Sequence, residues 1–79
     1  MQRLSLSSGV ELVIGAINVQ VEGRGVSLIA TREDTQLYST SVSGNEFYYV
    51  ATREAQIELN SAEVEHLSKL LNQEVQPVS

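Results

Sequence analysis

The sequence has no cysteine. That excludes disulfides and thiolate metal ligands, the usual staples of small secreted domains, and makes a reducing cytoplasm the expected location. It has no apolar run near the roughly 20 residues of a membrane-spanning helix. The N-terminus MQRLSLSSGVELVIGAINV is broken by Glu11 and polar residues, so it lacks the continuous apolar segment of a signal peptide. Basic residues are scarce, five against ten acids, and Lys69 is the one lysine. A net charge of −5 works against binding nucleic acid, where neutralising phosphate supplies most of the affinity. It fits a solvated surface or a basic partner.

Chemistry-bearing residues are also few. There is one histidine, His66, placed by spacing on the polar side of a helix. Glu63 and Glu65 flank it, but one His and two carboxylates without Cys make a poor metal site. Gly23-Arg24-Gly25 lacks the strand–loop–helix context of a phosphate loop. No nucleophile–base pair stands out. The expectation is a non-enzyme with no cofactor and no metal.

What is present is strand pattern. The chain has 79 residues, enough for one domain (1–79), and 42% of them are hydrophobic, enough to fold. A domain this small buries only roughly 60% of its unfolded surface, so core is at a premium. Ile17-Asn18-Val19-Gln20-Val21 and Ala55-Gln56-Ile57-Glu58-Leu59 alternate strictly, as half-buried strands do. Stretch 3–7 alternates more weakly. Stretches 10–14, 26–30 and 47–51 are apolar on both parities. Turn signals separate them at Ser8-Gly9, Gly15-Ala16, Gly23-Arg24-Gly25 and Ser43-Gly44. Short links join antiparallel neighbours, because parallel strands need long crossovers.

After residue 59 the period changes. Asn60-Ser61-Ala62-Glu63 is a capping box, and Leu59 with Val64 is placed as a hydrophobic staple. Val64, Leu67, Leu70 and Leu71 form one helical stripe, with Glu65 and Lys69 four apart. The fold class is therefore α+β. It is an antiparallel β meander of about six or seven short strands, flat or curled, with one C-terminal helix packed on it. Strands lie within 3–59 and the helix at about 61–73. The tail 74–79, with Pro77, reads as frayed.

One helix covers one face of a sheet, yet several strands are apolar on both faces. The surplus can be absorbed by curling, by pairing of two chains as a homodimer, or by a protein partner. Over less than half of the chain, GVELVIGAINVQV followed by GVSLIA resembles the strand run of the carbon storage regulator family, small RNA-binding dimers. The resemblance rests on Gly9, Ile14, Gly15 and alternating apolar residues. The basic segment after that family's first strand is Ser7-Ser8 here. The positions near its RNA-contacting arginine read Leu37-Tyr38-Ser39-Thr40.

Binding remains. The aromatics are Tyr38, Phe47, Tyr48 and Tyr49, and tyrosine and arginine are favoured at interfaces. The tetrapeptide ATRE occurs twice, at 30–33 and 51–54. In a single meander its copies would end two strands apart on one rim, with Arg32 and Arg53 roughly 10 Å apart and their stems over an apolar face. The candidate partner-binding residues are Arg32, Arg53, Tyr38, Tyr48, Val50 and Ile29. The expected function is that of a small acidic binding protein of the inhibitor or antagonist type, such as an anti-defence protein of a phage or mobile element. It would act by occupying a surface of a larger protein. The alternatives are a structural homo-oligomeric domain and, third, a nucleic-acid-binding β module.

Overall fold

The six strand-like stretches all form strands, a seventh strand lies at Gln36–Val42, and the structure, a computed structural model, describes residues 1–78. In chain order these are β1 (Gln2–Ser5), β2 (Glu11–Ile14), β3 (Asn18–Gly23), β4 (Val26–Thr31), β5 (Gln36–Val42), β6 (Asn45–Ala51) and β7 (Gln56–Leu59). They are followed by α1 (Ser61–Leu71) and β8 (Gln76–Val78). Two hairpins close on two-residue loops, Arg24-Gly25 and Ser43-Gly44. All four loop residues have positive φ, between 52° and 82°, which matches the twist of the flanking strands. Gly23, just before the first loop, has φ +125°, and a Cβ there would stand 2.6 Å from the Gly9 carbonyl oxygen. Only glycine lets these two turns lie so close.

The expected α+β fold is present, an antiparallel meander with a C-terminal helix packed on it, but its strands divide between two sheets. One has the order β1-β2-β3-β4, antiparallel throughout. The other has the order β7-β6-β5-β8. The break falls between β4 and β5. There the Asp34 amide donates to the Thr31 carbonyl and the Thr35 amide to that of Arg32, a tight corner that turns β5 away from β4. Thr35 is fully buried at this corner. Its hydroxyl donates to the Thr31 carbonyl (2.8 Å), and its own carbonyl accepts from Gln73 Nε2 (2.7 Å). Both polar groups are satisfied, as burial requires.

The tail expected to be frayed is also structured up to residue 78; Ser79 lies outside the described residues. Strand β8 pairs parallel to β5, Tyr38 facing Gln76 and Thr40 facing Val78. Since β5–β6 and β6–β7 are antiparallel, β7 and β8 run the same way at opposite edges of the sheet. Helix α1 is the crossover that parallel strands need.

One core joins both sheets and the helix. Leu12, Ile14, Val19 and Val21 come from the first sheet, Leu37, Val50 and Leu59 from the second, and Val64, Leu67 and Leu71 from α1. Part of the surplus apolar surface is thus absorbed by packing one strand set against another. In the first sheet Leu4, Leu12, Val21 and Leu28 form one cross-strand row on the core side. The capping box is present: Asn60 Oδ1 accepts from the Glu63 amide (2.8 Å) and Glu63 Oε1 from the Asn60 amide (2.9 Å). Glu63 Oε2 accepts from the Ser7 amide (2.7 Å), which ties the helix start to the β1–β2 turn. The helix ends two residues before the expected 73 because Asn72 turns left-handed at φ 53°. The Asn72 amide then donates to Lys69 and the Gln73 amide to Ser68, which satisfies the last carbonyls. No helix among the described residues is long and apolar enough to cross a membrane.

Candidate functional site

The two ATRE copies end their strands by the same device. Thr31 Oγ1 accepts from the Asp34 amide (3.2 Å) and Thr52 Oγ1 from the Ala55 amide (3.1 Å), so each threonine side chain closes the turn that follows its strand. The shared word is turn chemistry at two strand ends. The expected geometry of the arginines does not hold, because β4 and β6 belong to different sheets. Arg32 is held inward. Its guanidinium donates to the Gly15 carbonyl (2.9 Å) and to the Leu70 carbonyl near the helix end (2.8 Å). Arg53 is exposed, and its Nε lies 3.3 Å from Asp34 Oδ2, a carboxylate of the other copy's turn. The copies therefore meet, through an ion pair too exposed to contribute much stability.

A groove of about 140 Å³ runs along this junction, lined by Ile29, Thr31, Asp34, Thr52, Arg53 and Glu54 among others. Ile29 also borders a larger groove of about 370 Å³ on the outer side of the first sheet, with Met1, Val13, Ile17 and Gln20. The apolar side chains here are unusually free. Met1 is 98% exposed, Ile17 72% and Ile29 67%. The alternation of 17–21 places Ile17 with buried Val19 and Val21, but β3 starts at Asn18. The Gly15 amide donates to the Asn18 carbonyl (2.8 Å), and the loop so closed carries Ile17 outward. Pattern reading missed Ile17 for that reason; the Gly15-Ala16 turn just before it was the available signal.

The other candidates fall elsewhere. Val50 is in the core at 3% exposure. Tyr48 shares its side of β6 and packs against the core. The Glu46 carboxylate pushes the Tyr48 phenol above its ordinary pKa, chiefly by its charge and then by accepting the phenol's hydrogen bond. Tyr38 lies on the opposite, outer side of the second sheet, stacked on Tyr49 with ring centroids 5.2 Å apart. Of the six, only Ile29 and Arg53 share a groove.

Among the described residues no group of three His, Cys, Asp or Glu side chains could hold a metal ion. His66 is exposed on α1. The surface has the makings of contact: apolar side chains in a shallow groove, continuous with a charged junction. No family model, no curated protein and no solved structure matches the chain.

Proposed function

We propose that this chain is a non-enzymatic binding protein, of the inhibitor type, that works by seating the outer side of its first sheet on a larger protein. The observation that carries this reading is the cluster of Met1, Ile17 and Ile29, each more than two-thirds exposed around one groove. Large apolar side chains grouped in this way mark contact surfaces. Arg53, Asp34 and Glu54 supply a charged margin on the far side of Ile29, the arrangement of an apolar centre with a polar rim. A surplus of acid over base directs the choice toward a partner with a basic or neutral surface.

The test is a variant carrying both Ile17→Ser and Ile29→Ser, compared with the wild-type chain in capture from host lysate. Both positions are exposed, so the circular dichroism spectrum should not change. The wild type should retain a defined host protein that the variant loses. Equal recovery by both would overturn the reading, as would recovery of the chain alone at every salt concentration. Light scattering over a dilution series distinguishes the homo-oligomer: a dimer that these substitutions dissolve would assign the face to a second copy.

A further inference from the structure

The second sheet has an outer side of a different kind. A straight cross-strand row traverses all four strands there: Gln76 on β8, Tyr38 on β5, Tyr49 on β6 and Glu58 on β7. The parity is fixed by the neighbouring row Leu37, Val50 and Ile57, which faces the core. Tyr38 and Tyr49 stack at 5.2 Å with 23° between their planes. Tyr38 thus covers one face of Tyr49, and the other face turns toward β7. Glu58 stands there as the directly opposite residue, at the roughly 5 Å between Cβ atoms of cross-strand pairs. Glu58 is exposed and has no cationic partner among the described residues.

Charge supports a specific guest. The strands of this sheet carry two acids, Glu46 and Glu58, and no base. All five basic residues lie elsewhere and are engaged: Arg3 with Glu11, Arg53 with Asp34, Lys69 with Glu65, Arg24 with the Ser8 carbonyl, and Arg32 as described. An aromatic face beside a free carboxylate is complementary to a planar cation. Arginine suits it better than lysine, because the guanidinium can stack on the ring while its edge donates two parallel hydrogen bonds to the carboxylate.

We infer that the row Tyr38–Tyr49–Glu58 is a docking site for an arginine side chain of a protein partner. It uses none of the residues of the first-sheet groove, so the two surfaces stand or fall separately.

The experiment is an NMR titration of the whole chain with a short neutral peptide bearing one arginine, and with the same peptide bearing citrulline, its uncharged isostere. The arginine peptide should shift the Tyr38, Tyr49 and Glu58 resonances and bind about tenfold more tightly than the citrulline peptide. Glu58→Gln should bring the arginine peptide down to the citrulline level, and Tyr49→Leu should weaken it about fivefold or more. The Ile17→Ser/Ile29→Ser variant should bind the arginine peptide like the wild type, which keeps failure here distinct from failure of the proposed function. Equal binding of the two peptides, shifts confined to other residues, or no shift at millimolar peptide would overturn the inference.

Discussion

Arg32 and Arg53 occupy the same place in two identical tetrapeptides and do different work. Arg32 is half-buried and joins the β2–β3 loop to the end of α1 through two carbonyl oxygens. Arg53 makes one exposed ion pair. Arg32→Ala should therefore lower unfolding free energy by about 2 kcal/mol, since hydrogen bonds from a charged donor are lost and two carbonyls lose a partner. Arg53→Ala should leave the urea midpoint where it was. Equal effects of the two substitutions in urea denaturation would contradict this division. The sequence could not separate them, because the partners of Arg32 are 17 and 38 residues away and are main-chain atoms with no residue signature. For Ile29, parity set it apart from Val26, Leu28 and Ala30 on the second face of its strand, and the structure leaves that face open. Ile17 was not legible as exposed, because a two-residue alternation says nothing about where a loop ends and a strand begins.

At the scale of elements, six of the strands and α1 were legible from their periods, with glycine turns punctuating the first four strands and the β5–β6 hairpin and a capping box opening the helix. Strand β5 shows no clear alternation and follows only from the need for a reversed strand between β4 and β6. The division into two sheets was not legible. The link from β4 to β5 is as short as a hairpin loop, and only the buried corner at Thr35 sends the chain elsewhere. Strand β8 was illegible too, since Gln76-Pro77-Val78 is too short to show alternation and its pairing with β5 is long-range. Its role can be tested by deleting residues 74–79. That removal leaves the β5 edge unpaired, and open edges recruit other chains. The truncated protein should associate in a concentration-dependent way in sedimentation, at concentrations where the full chain does not change. A truncated chain that sediments like the full one would show that β8 does not protect the edge.

For the whole molecule, two sheets and a helix share one core rather than two. Leu67, fully buried, is the helix residue most enclosed by it. Leu67→Ala should cost about 2–5 kcal/mol. The loss should not be confined to α1: far-ultraviolet circular dichroism and tyrosine fluorescence should shift to the same lower midpoint. The tyrosines lie only in the second sheet, so separated midpoints would mean that the sheets unfold independently. The order of the chain gives this shared core a time axis. A ribosome releases β1 to β4 first, and their hairpins need only neighbours in sequence. Leu12, Val19 and Val21 are then made 46 to 55 residues before Leu67 reaches them, at roughly 5–20 residues per second. For seconds of every synthesis, the nascent protein carries its oily side uncovered, and whatever attends the exit tunnel meets that side before any finished molecule exists.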